Sequence, residues 1–165
     1  MKRRHLMMGG VAALGLGACT QSKFKTYNGP EVTYVIVNKG DREMFLLHGG
    51  RVLEKYDIDL GFAPIGDKFF EGDGRTPEGR YLIDRRNPNS KFHLSLGISY
   101  PNEQDRAEAA ALGKPPGGDI FIHGESNPFK RNREDWTWGC VAVTNREMED
   151  VYAMVRNGTP IQINA

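Results

Sequence analysis

Val32-Thr33-Tyr34-Val35-Ile36-Val37 opens the part of the chain that reads as folded. β-Branched residues dominate it, which suits a pleated, half-buried surface, and Asn38 to Asp41 supplies a turn before the apolar run Met44-Phe45-Leu46-Leu47. The two runs make a predicted hairpin. A second turn at Gly49-Gly50 leads into Val52 through Leu60, where Val52, Glu54, Tyr56, Ile58 and Leu60 share one face, so a β-meander is expected.

Further along, Gly61 to Gly79 carries several glycines with Pro64 and Pro77, which predicts a long loop between sheet elements. Tyr81-Leu82-Ile83 and Phe92 to Ile98 read as short strands on either side of the turn Asn87-Pro88-Asn89-Ser90. Asn102 caps a predicted alanine-rich helix running to about Leu112, ended by Gly113 and Pro115. Thr144-Asn145-Arg146-Glu147 is a capping box; Met148, Val151, Tyr152 and Val155 form the apolar stripe of a second helix, and Gly158 stops it. Ile161-Gln162-Ile163 closes the sheet. The fold class is therefore mostly β, with about two short helices.

Composition limits what such a domain can do. The chain has 165 residues, 39% apolar and 26% charged, enough for one ordinary domain with a real core. A net charge of +1 supplies no field to hold a phosphate backbone, so nucleic acid is excluded as an expected partner.

Upstream of the domain, Met1 to Ala18 has the layout of a secretory signal peptide: Lys2, Arg3 and Arg4, an apolar stretch from Leu6 to Leu16, then small residues. The stretch is shorter than the roughly 20 apolar residues of a membrane span. Leu16-Gly17-Ala18-Cys19 resembles a bacterial lipobox, which implies cleavage before Cys19, lipidation of Cys19 and a membrane anchor. Thr20, in place of an aspartate after that cysteine, implies the outer membrane and a domain facing the periplasm. Residues 19–31 are then a tether and 32–165 the domain. With Cys19 lipidated, Cys140 is the other cysteine of the chain, a lone thiol in an oxidising compartment and so a candidate reactive group.

Ile120 to Ile122 place His123-Gly124 at the end of a predicted strand, and sixteen residues then separate His123 from Cys140. Cys140 follows a turn at Gly139 in Asp135-Trp136-Thr137-Trp138-Gly139-Cys140. A free thiol has a pKa of about 8.5 and is a few per cent thiolate at neutral pH, so a nucleophilic cysteine needs a base. Paired as thiolate and imidazolium, Cys140 and His123 have the means to attack a carbonyl, with the N–H groups of Gly139 and Cys140 holding the oxyanion. His48, beside a glycine turn, and His93, within a strand, read as structural or exposed, and no His or Cys pair has the spacing of a structural zinc site.

From about Val32 to Ile163 the chain resembles the L,D-transpeptidase (YkuD) catalytic domain family, whose signature joins a histidine to a Ser/Thr-His-Gly-Cys motif. His123-Gly124 matches the first part and Thr137-Trp138-Gly139-Cys140 the second, while Gly74-Arg75-Thr76-Pro77-Glu78-Gly79 before Tyr81 is similar to the family's Thr-Pro-x-Gly loop. Asn87-Pro88-Asn89-Ser90, Ser99-Tyr100-Pro101-Asn102 and Asp135-Trp136-Thr137 resemble its YafK-like branch. The resemblance implies a mixed β barrel or sandwich, no metal or organic cofactor, and peptidoglycan stem peptides as substrate. Cys140 is then the nucleophile that takes the acyl group of meso-diaminopimelate, expels D-alanine and passes the acyl group to an amine. His123 is the general acid/base, oriented by the carbonyl of Gly124. Hydrolysis of the same linkages, including release of a peptidoglycan-linked protein, is the alternative, and a non-catalytic peptidoglycan-binding lipoprotein is the third reading. Arg75, Trp136, Thr137 and Trp138 are candidate substrate contacts. Two positions depart from the family pattern: Trp138 stands where the family has histidine, and Ala142 where it has Arg or Asn.

Overall fold

The computed structural model describes residues 22–126 and 134–165. The signal, the lipobox and Cys19 lie outside these residues. The elements are β1 (Tyr34–Asn38), β2 (Glu43–His48), β3 (Arg51–Asp57), β4 (Gly79–Asn87), β5 (Ser95–Ile98), α1 (Glu103–Ala111), β6 (Phe121–His123), β7 (Val141–Ala142), α2 (Asn145–Met154) and β8 (Pro160–Asn164).

Eight strands form one mixed sheet in the order β3-β2-β1-β8-β4-β5-β6-β7. The β1–β8 and β6–β7 pairs are parallel and the others antiparallel. Just past β3, Asp59 exchanges backbone bonds with Ala142 of β7, at 2.9 and 2.8 Å. The two ends of the strand order thus meet, and the sheet curls into a nearly closed barrel, which hides edges that would otherwise be open. The expectation of a mostly β fold with two short helices holds.

Alternation drives the inner half of the sheet. Val35 and Val37 of β1, Met44 and Leu46 of β2, and Ile161 and Ile163 of β8 are all fully buried, each worth roughly 1.5–3 kcal/mol of transfer from water. β8 lies at the centre of the sheet, between β1 and β4, rather than at its edge. The predicted common face of Val52 to Leu60 is broken. A bulge between Leu46 and Leu47 shifts the register with β3, and Val52 is left 50% exposed while Tyr56 is buried.

Both helices start where expected, at the Asn102 cap and at the Thr144–Glu147 capping box, and Asp105 completes a capping box with Asn102 as well. α2 buries Met148, Val151 and Met154 and packs over β5 and β6, behind the site. Its helical run ends at Met154, because Val155 is already extended (ψ 132°), so Gly158 sits in the following turn and does not stop the helix itself.

The 61–79 loop is anchored by cations. The buried Lys39 ammonium donates to the Gly66 and Thr76 carbonyls and to Glu78 Oε1 at 2.5, 2.9 and 2.9 Å. Lys68 is also buried and pairs with Asp73 at 2.8 Å, and Asp73 in turn accepts the N–H groups of Phe69, Phe70 and Arg75. Burial disfavours a charge on Asp73, yet Lys68 and these three donors hold its pKa below the usual carboxylate range.

Candidate active site

The parallel pairing of β6 with β7 sets Ile122 opposite Val141 and His123 opposite Ala142. This register brings the end of one strand, His123, and the residue leading into the other, Cys140, to one cleft of about 420 Å3. Asn87, Asn89, Ser90, Lys91, Phe92 and Asp119 also line it. Cys140 faces a second cleft as well, of about 390 Å3, lined by Lys68, Glu71, Gly72, Gly117, Gly118, Asp119, Ile120 and Trp138. The thiol therefore stands where two clefts meet.

His123 is buried and held on three sides. Its Nδ1 lies 2.7 Å from the Gly124 carbonyl, the acceptor expected from the sequence. A donor is required at Nδ1, which leaves Nε2 as the basic nitrogen of the neutral ring. Phe92 stacks on the imidazole at 4.5 Å between ring centroids, and Trp136 meets it edge-on at 5.5 Å. Burial pushes the imidazole pKa down, and the Gly124 carbonyl pulls it part of the way back.

Cys140 is part-buried, and its Sγ lies 3.6 Å from the Asp119 carbonyl, to which the S–H donates. Desolvation pushes the thiol pKa up to about 11; the Phe121 N–H and the Lys68 ammonium pull it down, while the Asp119 carboxylate pushes it further up. Both shifts favour neutral forms. The sequence suggests a thiolate–imidazolium pair, whereas burial penalises each ion and moves both groups toward their neutral forms.

The turn that presents Cys140 is fixed by its own side chains. Thr137 is buried, its Oγ1 donates to the Cys140 carbonyl at 2.8 Å, and it accepts the Gly139 N–H at 3.1 Å. Thr137 is thus a turn-former rather than a substrate contact, and the Gly139 N–H, expected to face an oxyanion, is engaged inside the turn. Gly139 has φ +119°, and a Cβ there would lie 2.5 Å from the Arg75 carbonyl, so only glycine fits. Asp135 ties this segment to the rest of the barrel by accepting from Leu60 N–H at 3.0 Å and pairing with Arg42 at 2.7 Å.

The remaining candidates separate. Arg75 stays within its loop, donating to the Asp67 carbonyl at 3.3 Å and lying over Phe69, and it lines neither cleft. Trp136 donates to Asp59 at 3.2 Å and packs on His123, whereas Trp138 is 72% exposed on the wall of the second cleft. His93 bonds to Glu149 and His48 to the Glu31 carbonyl, both away from the thiol. Among the described residues no group of three or more His, Cys, Asp and Glu is placed to hold a metal ion.

Three participants went unnoticed in the sequence: Phe92, Lys68 and Asp119. Asp119 has φ +55°, and the adjacent Gly117-Gly118 was a signal that the backbone there takes an unusual path. Nothing in the sequence marked Phe92 or Lys68.

Comparison with known proteins places the fold in a family. The L,D-transpeptidase YafK of Escherichia coli (strain K12), a provisionally assigned protein, is 28% identical over 107 residues, covering 64% of this chain and 38% of the relative. The crystal structure of the helical cell shape determining protein Pgp2 from Campylobacter jejuni matches with a TM-score of 0.64 and 28% identity, over 83% of this chain and 49% of Pgp2. An L,D-transpeptidase from Xylanimonas cellulosilytica, only 16% identical, shares the fold with a TM-score of 0.51 over 84% of this chain and 63% of that one. This chain thus spans about half or less of the length of YafK and Pgp2. The family model of the L,D-transpeptidase catalytic domain matches residues 32–163, nearly all of the folded region, and the chain belongs to that family, YkuD.

Proposed function

We propose that this domain is a cysteine acyltransferase acting on peptidoglycan stem peptides. The observation that carries the reading is the position of Cys140 at the junction of two clefts with His123 in the wall of one. One cleft offers a place for an acyl donor and the other for an acceptor amine, which favours transfer over simple hydrolysis.

Starting from the neutral pair, His123 Nε2 takes the thiol proton as Sγ attacks the carbonyl carbon of the diaminopimelate residue. The oxyanion is held by the N–H of Cys140, since that of Gly139 is engaged by Thr137. Collapse breaks the C–N bond to D-alanine, and His123 returns the proton to the departing amine. An amine entering from the other cleft then attacks the thioester, His123 accepts its proton, and the thiol is regenerated. Water in place of the amine makes the same acyl-enzyme a hydrolase. Asn87, Asn89, Ser90 and Lys91 supply amide, hydroxyl and ammonium groups for the peptide backbone and its carboxylates.

The reading includes export, with Met1–Ala18 as signal and Cys19 as the lipid attachment that holds the domain at the outer membrane facing its substrate. Palmitate labelling of the wild type and Cys19→Ala checks it: label on the wild type only is expected, and equal labelling overturns the anchor.

For the activity, muropeptide tetrapeptides and a protein-linked muropeptide are incubated with the protein and products identified by mass spectrometry. Cross-linked or exchanged products that vanish with Cys140→Ala are expected. Released tripeptide or freed protein remnant without transfer makes the enzyme a hydrolase, and no change in either substrate leaves the non-catalytic binding protein as the surviving account.

A further inference from the structure

Around the second cleft the molecule exposes aromatic surface that the reaction above does not use. Trp138 is 72% exposed and Phe62 50% exposed, and their rings meet edge-to-face at 5.1 Å and 85°. An indole left in water is costly, and exposed aromatic patches of this kind mark binding surfaces.

This pair is built rather than incidental. Trp138 lies between the buried residues Thr137 and Gly139, and the Phe62 N–H donates to the Thr137 carbonyl at 3.0 Å. The Phe62 ring rests directly on Gly74, where an added Cβ would come within 2.3 Å of it. The Phe62 ring is therefore held before any ligand arrives, and its edge-to-face contact braces the Trp138 indole, which lowers the ordering cost of binding.

The shape and surroundings select the ligand. Apolar peptide side chains anchor in enclosed pockets, whereas the Trp138 ring is largely open to solvent. Beside them the cleft is polar, with Glu71, Lys68 and the backbone of Gly72, Gly117 and Gly118. A flat ligand with C–H groups on one face and hydroxyl or amide groups around its edge satisfies both halves: the C–H face meets the negative face of the indole, and the rim bonds to the polar wall. A pyranose ring has that chemistry. A wholly apolar partner leaves the polar wall unpaired.

We infer that Trp138, braced by Phe62, forms a stacking platform for a sugar ring of the glycan strand, so that the enzyme reads the carbohydrate attached to the peptide that enters the second cleft. This rests on the peptidoglycan reading and deepens it. It also gives a role to the residue that stands in place of the family's histidine.

The test is binding, which needs no thiol chemistry. Full-length Cys140→Ala protein, labelled with 15N, is titrated with a β-1,4-linked N-acetylglucosamine tetramer and, separately, with sugar-free stem tetrapeptide. The sugar is expected to move the indole N–H resonance of Trp138 more than that of Trp136. Trp138→Ala is expected to weaken sugar binding about tenfold, and Trp138→Phe, which keeps an aromatic face, to recover part of it. If the sugar moves neither indole, or if the free peptide moves Trp138 and the sugar does not, the platform is not a sugar site. Sugar binding by an inactive protein would fail only the catalytic reading, and activity without sugar binding would fail only this one.

Discussion

The two halves of the sheet are built differently. On one side, β3, β2, β1 and β8 are five to seven residues long, and β1, β2 and β8 alternate buried with half-buried residues. On the other, past the nine-residue β4 that joins the two, β5, β6 and β7 have four, three and two residues, and nearly every one is buried. The long half is held by its own ladder and by core burial. The short half relies on α2 behind it, on stacking against His123, and on side-chain bonds such as those of Thr137 and Asp135. The proposed chemistry sits in the half whose backbone is least regular, where a strand can stop at His123 and a turn can present Cys140. Stability and reactivity are thereby separated along one sheet, and substitutions should divide accordingly.

The largest expected effect is in the short half. His123→Gln removes the base while keeping a hydrogen-bonding side chain, and should lower turnover by about 10²–10⁴-fold with little change in the unfolding midpoint. A comparable loss of stability would show that the imidazole is mainly a packing group. Next is the loop between β3 and β4: Asp73→Ala leaves the Lys68 ammonium buried without its partner and should cost about 3 kcal/mol by denaturant unfolding, the low end for a broken buried pair since Lys68 borders a cleft. The folded pKa of Asp73 is depressed, so its contribution is complete above the unfolded value of about 4 and is lost as pH falls through the folded one. The gap between wild type and Asp73→Ala should therefore narrow in acid.

A third test concerns charge in the site. With the thiol at about 11, the rate of Cys140 alkylation by iodoacetamide should climb about tenfold per pH unit from pH 7 to 10. A plateau near neutrality would instead reveal a thiolate–imidazolium pair at rest. Smallest is Ile161→Val in the central strand of the long half, fully buried and remote from the thiol, expected to cost about 1 kcal/mol and leave turnover of the folded enzyme intact.

The same contrast explains what could be read from sequence. Strands such as Tyr34–Asn38 carry their period in their residue types, and the helices announce themselves by the Asn102 cap and the Thr144–Glu147 capping box. Cys140 and His123 were legible as candidates because motif spacing and a strand end pointed to them, and the Gly124 carbonyl because the family resemblance implied it. β7 was not, since two residues have no period, and its place depends on pairing with β6 and on Asp59 from the far end of the sheet. Nor was Phe92, whose role arises only from stacking on a ring thirty-one residues away in sequence. The displacement of Arg75 from the site and the engagement of the Gly139 N–H have the same origin: neighbours distant in sequence, or the exact fold of a tight turn, decide which polar group is left for substrate.

The central claim is a covalent acyl group on Cys140, formed with His123 as base. Rapid quenching of the protein with tetrapeptide muropeptide, followed by intact-mass and peptide-level mass spectrometry, tests it directly. The account predicts a thioester adduct of the tripeptide acyl group on Cys140, much reduced in His123→Gln and absent in Cys140→Ala. Product formed by the Cys140→Ala protein, or an adduct on any other residue, would contradict it.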